Sequence, residues 1–348
     1  MKQWKFLILG WFAVLLAGCA TVDKSVLMTP PAVKTGDVVF KTAMVENEDA
    51  FAAGKEAAEA LAAKLGGTVP HAVLMVDCFD SLGSKKKALA GVTSVFGAEK
   101  IFGGAVYGMY TQDGASDVDT VSLLALAGNG LQVQAALTEN MGSKGLTIEN
   151  DEPALSAALG AGGAAVAQQL PNIGKSDLVI LMGDAHSPKN QYLIDGLQTV
   201  AGKNVPVTGG SISKNDGLTF VYYRGKMYSD AAFALTLNGG LSIGQAGRQA
   251  KSNDEVISTA NEGATTALKA LGSVKPAALI AFDCAGRMGK LDNLSDEVTT
   301  IKTTMSPAVP IFGCYCAGEF GPADTTIEKS DSVSTGRGWH AMFSALGK

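Results

Sequence analysis

Histidine is scarce in this chain. His71, His186 and His340 are all there is, and they stand far apart. A metal centre needs three or four ligands, so neither a histidine-built metal site nor any cofactor is expected. Clusters of Lys and Arg are missing too. The one short run, Lys85-Lys86-Lys87, reads as a solvated helix face, so nucleic acid is not an expected partner. No catalytic triad is visible. The pairs Gly103-Gly104 and Gly209-Gly210 do not follow GxGxxG. They point to tight turns or close backbone approach rather than a phosphate cradle. Long apolar runs are lacking as well: Phe6 to Ala17 is uncharged for 12 residues, against the roughly 20 a spanning helix needs.

That short run has a different use. Lys2 and Lys5 precede it, and Leu16-Ala17-Gly18-Cys19 closes it. This is the layout of a secretory signal, and its end resembles a bacterial lipobox. The expectation is a signal peptide over 1–18, lipidation of Cys19, and a lipidated tether over 19–36 that carries Thr29-Pro30-Pro31. Ala20 after the Cys favours the Gram-negative outer membrane, facing the periplasm. Loss of the leader leaves 26 of the 28 basic residues against all 33 acidic ones. Cys78, Cys284, Cys314 and Cys316 remain. The compartment permits disulfides, and Cys284 could bridge to Cys314 or Cys316 across adjacent strand ends. A bridge within Cys314-Tyr315-Cys316 is less favoured, because residues i and i+2 of a strand lie about 6.5–7 Å apart. Packing as small buried hydrophobes is the alternative.

A repeat organises the rest. Val73–Cys78, Val179–Asp184 and Leu279–Cys284 are apolar runs ending in polar residues. Each follows an Ala-rich amphipathic stretch (Ala50–Leu65, Pro153–Leu170, Asn253–Leu271) and precedes a second helical stretch. Each then leads to a strand running into glycine at Gly103, Gly209 or Gly313. Further strands follow at Thr120–Leu126, Ala232–Leu237 and Trp339–Phe343. Gly128-Asn129-Gly130 and Asn238-Gly239-Gly240 suit tight hairpins. Lys144–Glu152 and Gly247–Glu255 read as linkers. The chain is thus expected to be α/β: three related helix-strand-helix-strand-strand units forming mixed sheets flanked by helices. Two units, about 37–143 and 150–247, make one domain, and 248–348 makes the other. Ligands of open α/β sheets bind beyond the carboxyl ends of strands, which here would gather at one shared crevice. Asp77, Asp184 and Asp283 at those ends also suit helix N-caps. Tyr107, Tyr222, Tyr223 and Tyr315 read as core.

Two motifs carry a family resemblance. Phe282-Asp283-Cys284-Ala285-Gly286-Arg287, then Pro310 to Pro322 (PIFGCYCAGEFGP), resemble the C-terminal signature of FIST sensory domains. Val207-Thr208-Gly209-Gly210 and the Tyr223–Gly240 region resemble their N-terminal half. The resemblance covers nearly all of 37–347. It implies a small-molecule-binding input module, with Cys284, Gly286, Arg287, Gly318, Glu319, Gly321 and Pro322 at motif positions. Cys314 and Cys316 depart from the family pattern. No kinase, cyclase or methyl-accepting segment follows, so a signal would leave through an unknown protein partner.

The expected ligand site is therefore Asp283, Cys284, Arg287, Cys314, Cys316 and Glu319. Arg287 could fork a carboxylate and Glu319 could take an ammonium, as an amino-acid-like zwitterion requires. An ion pair between the two is the competing expectation. No catalytic residue is assigned and enzyme activity is not expected. Two alternatives stay open. One is a thiol enzyme or redox protein using Cys284, Cys314 or Cys316, with His186 as a base. The other is a structural envelope lipoprotein.

Overall fold

A computed structural model describes residues 36–212 and 219–348. The expected signal peptide, the lipidation site Cys19 and all but the last residue of the tether lie outside the described residues. Among the described residues, no helix is long and apolar enough to cross a membrane.

Three units follow one another. The first runs β1 (Val39–Glu46), α1 (Ala50–Leu65), β2 (Pro70–Asp77), α2 (Leu82–Phe96), β3 (Ile101–Ala105), β4 (Gly108–Thr111), β5 (Gly114–Ser116) and β6 (Thr120–Ala127). The second runs β7 (Gln132–Thr138), α3 (Ile148–Gln168), β8 (Leu178–Gly183), α4 (Asn190–Ala201), β9 (Val207–Ser211), β10 (Val221–Tyr223), β11 (Lys226–Tyr228) and β12 (Ala232–Asn238). The third runs β13 (Ser242–Gln249), α5 (Asn253–Ala270), β14 (Pro276–Cys284), a short α6 (Ala285–Met288), α7 (Ser295–Thr304), β15 (Ile311–Cys316), β16 (Gly318–Pro322), β17 (Ser334–Arg337) and β18 (His340–Gly347).

Each unit builds one six-stranded mixed sheet, and each sheet borrows a hairpin. The orders are β1-β6-β2-β3-β10-β11, β7-β12-β8-β9-β16-β17 and β13-β18-β14-β15-β4-β5. The central pair is parallel in every sheet, with Met75 opposite Gly103, Leu181 opposite Gly209 and Ala281 opposite Gly313. Unit 1 lends β4–β5 to the third sheet, unit 2 lends β10–β11 to the first, and unit 3 lends β16–β17 to the second. This cyclic exchange ties the units together through backbone hydrogen bonds.

The exchange revises three sequence expectations. Gly128–Gly130 and Asn238–Gly240 are not hairpin turns, because they join strands of different sheets: β7 pairs with β12 and β13 with β18. The polar stretch 144–152 is part helix, since α3 begins at Ile148. The stretch 247–255 holds the end of β13 and the start of α5.

Alternation along the strands explains the layers. Val73, Met75 and Leu123 face the helices α1 and α2, while Leu74, Val76 and Leu124 face away from them. The corresponding inward residues of the other sheets, among them Leu178, Ile180, Met182, Ile280, Phe282 and Phe312, join the same central core. The centre is thus packed with apolar side chains from all three sheets, and among the described residues no shared polar crevice gathers there. Gly103 and Gly209 hold φ near +150°. A Cβ there would stand 1.7 Å from the Met75 or Leu181 carbonyl oxygen, so the close backbone approach read from sequence is real.

Candidate functional site

The unit 3 motif folds into a buried charge cluster. Arg287, fully buried on α6, donates from Nε to Asp283 Oδ1 at 2.7 Å and from Nη2 to Glu297 Oε1 at 2.6 Å. Nη1 reaches Thr259 Oγ1 at 3.0 Å, and Tyr315 Oη donates to Glu297 Oε2 at 2.9 Å. Desolvation pushes the Asp283 carboxyl above the usual range, against the pull of Arg287. Charges this deep persist only when paired. Arg287 has no solvent-facing donor for a ligand, and its partners are Asp283 and Glu297, not Glu319. The sequence did not single out Glu297; its only signal was an acidic residue in the first turn of α7.

Glu319 is buried separately. Its Oε2 accepts from His340 N at 3.2 Å, and Oε1 has no hydrogen-bond partner among the described residues. Burial raises its carboxyl well above the ordinary range, which favours the neutral acid. Cys284 caps α6, accepting from Gly286 N at 3.3 Å. The Trp339 ring closes over Gly286, where a Cβ would lie 3.2 Å from three ring atoms.

Of the two readings left open for the cysteines, the structure has buried free thiols and no disulfide among the described residues. Cys78, Cys284, Cys314 and Cys316 are all free and buried. Cys314 and Cys316 belong to the central core, with their sulfurs 3.7 Å apart. Burial pushes the Cys78 and Cys284 thiols up to about 12.

Unit 1 repeats the pattern. Asp77 is fully buried, and Tyr222 from the borrowed β10 donates to its Oδ2 at 2.5 Å. Lys85 is buried beside it and donates to the Asp80 carbonyl at 2.8 Å. It is no solvated helix residue. Nor do the strand-end aspartates cap helices: Ser81 caps α2 and Cys284 caps α6.

Unit 2 is different. Register places Gly183 where units 1 and 3 have Asp77 and Asp283. The borrowed hairpin brings Phe320 opposite Gly209, where the other sheets receive Tyr222 and Tyr110. With no carboxylate at position 183 and no tyrosine at position 320, this strand end opens as a cavity of about 360 Å³. Asp184, His186 and Lys189 line it from the end of β8, and Lys144 lines it from the loop before α3. That loop is anchored by Asp230, which accepts from Gly142 N at 2.8 Å and Ser143 N at 3.0 Å. Among the described residues, Lys189 Nζ reaches only the Leu146 carbonyl, at 3.4 Å. Thr219 and Ser229, flanking the β10–β11 hairpin, complete the wall. Of the six residues expected to bind ligand, none lines this cavity. His186 and Asp184 were noticed at an equivalent strand end. Lys144 and Lys189 carried no sequence signal.

Fold and cavity together define a three-unit α/β module with an open cavity at one strand end. The chain belongs to the FIST family, whose domains are sensory small-ligand-binding domains. The FIST N domain matches residues 78–251 and the FIST C domain matches 221–322. No curated protein matches the sequence. Among solved structures, one of cyanuric acid hydrolase covers 89% of this chain and 99% of its own at 9% identity, with a TM-score of 0.46. Cyanuric acid hydrolase from A. caulinodans covers 90% of this chain and 100% of its own at 11% identity, with a TM-score of 0.43. PurLQS from Thermotoga maritima covers 90% of this chain and 73% of its own at 12% identity, with a TM-score of 0.30. Overlaps this loose carry nothing about the site.

Proposed function

We propose that this protein is a lipid-anchored FIST sensor of the cell envelope, tethered through Cys19 to the outer membrane, that binds a small carboxylated, amino-acid-like molecule and passes the signal to a protein partner. The observation that carries the reading is the unit 2 cavity, where two lysines, Lys144 and Lys189, share a wall with one carboxylate, Asp184. Its volume lies within the usual range for ligand pockets, and it opens at a strand carboxyl end, where α/β sheets take ligands. Ammonium groups suit a ligand carboxylate, and Asp184 suits a ligand ammonium. Thiol catalysis is the weaker reading, because a nucleophile must be a thiolate and burial holds Cys284 as a thiol.

The test is a thermal-shift and calorimetric screen of the purified chain against amino acids and organic acids. A binder should lose affinity in Lys189→Ala and Lys144→Ala. Asp184→Asn should weaken amino acids more than their deaminated analogues. If no compound shifts the melting midpoint, or the shift survives all three substitutions, the site is misassigned. Labelling with a radioactive fatty acid, lost in Cys19→Ser, tests the anchor.

A further inference from the structure

We infer that the seam between units 1 and 3 holds a second small-molecule site, one for a free carboxylate with an apolar chain. Two cavities of about 300 and 240 Å³ adjoin there, sharing Gln112, Asp113, Pro307 and Val309 as walls. They form one slot where the turn of the borrowed β4–β5 hairpin meets the segment before β15. The Gln112 side chain fixes that seam: its Oε1 accepts from Thr42 Oγ1 at 2.8 Å and from Ile311 N at 3.0 Å. The slot lies apart from the unit 2 cavity and shares no lining residue with it.

The two halves differ in chemistry. Lys41 and Lys64 line the first, and Met305, Val309 and Ile311 floor the second, with Lys302 beside them. Lys64 is engaged by Asp113 at 3.3 Å and by the Thr42 carbonyl at 3.0 Å. Lys41 and Lys302 form no ion pair among the described residues. Three lysines against one aspartate make the slot locally positive in a chain whose formal net charge is −5. An apolar floor gains from burying hydrocarbon. Unpaired ammonium groups at the other end gain from a carboxylate, which they hold as point charges without a rigid fork. A short or medium acyl chain with a free carboxylate meets both needs. A simple anion leaves the floor wet, and a neutral chain leaves the lysines unpaired.

Isothermal titration of the full chain with acetate, hexanoate, decanoate and decanol tests this. Affinity should rise from acetate through hexanoate to decanoate, with decanol weaker than decanoate by about tenfold. The double substitution Lys41→Glu with Lys302→Glu, both away from the buried core, should lower decanoate affinity by a similar factor and leave the melting midpoint unchanged. Lys189→Ala should leave decanoate binding intact, so failure here and failure of the unit 2 site are told apart. Equal binding of decanol and decanoate, equal binding of acetate and decanoate, no binding of decanoate, or loss of binding in Lys189→Ala would each overturn the proposal.

Discussion

Units 1 and 3 solve the carboxyl end of their first central strand one way, and unit 2 solves it another. In units 1 and 3 an aspartate is buried there with a cation beside it: Asp77 with Lys85, Asp283 with Arg287. A tyrosine arrives from a neighbouring unit's hairpin. In unit 2 both positions are apolar or empty, Gly183 and Phe320, and the charged residues stand on a cavity instead. The same backbone plan therefore serves two ends. Where polar groups are sealed inside they lock the units together, and where they are left outside they can meet a ligand. Sealed charge is costly to disturb, while cavity charge is cheap to change.

The sharpest break of that comparison is Arg287→Ala. It leaves Asp283 and Glu297 buried without a counter-charge, and removing one partner of a buried pair costs about 3–5 kcal/mol. Urea unfolding should show that loss, or no folded protein at all. A loss under 1 kcal/mol would mean the cluster is not sealed.

Acid and base should act on unit 1 next. Desolvation raises the Asp77 carboxyl from 3.8 to about 7, partly offset by Tyr222 and Lys85. Between those values the unfolded chain has released this proton and the folded chain keeps it. Stability therefore falls as pH rises through that window, by up to about 1.4 kcal/mol per unit, and levels off above it. Glu319, also raised by burial, acts in the same direction. Unfolding free energies from pH 4.5 to 7.5 should show the slope, and Asp77→Asn should make it shallower.

Smaller still is Tyr222→Phe, which strips Asp77 Oδ2 of its donor and should cost about 1–3 kcal/mol. The converse graft should not rescue unit 2. Phe320→Tyr buries a hydroxyl with no carboxylate opposite. Adding Gly183→Asp makes matters worse, because a Cβ there would sit 2.7 Å from Leu193. A double variant more stable than Phe320→Tyr alone would show that unit 2 can seal like its neighbours and would break the contrast drawn between the units.

The repeat was legible because strands buried on both faces write continuous apolar runs, and three of them recur at the same place in each unit. The hairpin exchange was not. The borrowed strands are three to five residues long, too short for a periodic signal, and nothing local records which sheet a hairpin joins. The motif residues were legible as a cluster, but Arg287 was matched to the wrong acid. Glu319 was only one of the motif's carboxylates: Asp283, four residues before Arg287, is a true partner, and Glu297 comes from a helix that the motif does not contain. Lys144 and Lys189 were invisible for the opposite reason: an exposed lysine in a polar loop looks like any other, and only the absence of a carboxylate at Gly183 gives it a cavity to face.

Two lysines give the finest test, because they share a side chain and a strand end and differ in surroundings. Lys85 is 1% exposed and Lys189 is half-buried on the cavity wall. Lys85→Ala removes the donor to buried carbonyls and the cation beside Asp77, so it should lower stability by about 2–3 kcal/mol and leave affinity for the unit 2 ligand unchanged in the folded fraction. Lys189→Ala removes one long hydrogen bond at a partly wet site, so stability should move by less than about 0.5 kcal/mol. Affinity for a carboxylated ligand should drop about tenfold, the loss of one well-placed charge-assisted hydrogen bond. Urea unfolding and calorimetric titration on the two variants read both quantities. If Lys189→Ala destabilises as much as Lys85→Ala, unit 2 is sealed like its neighbours and the cavity is not a ligand site.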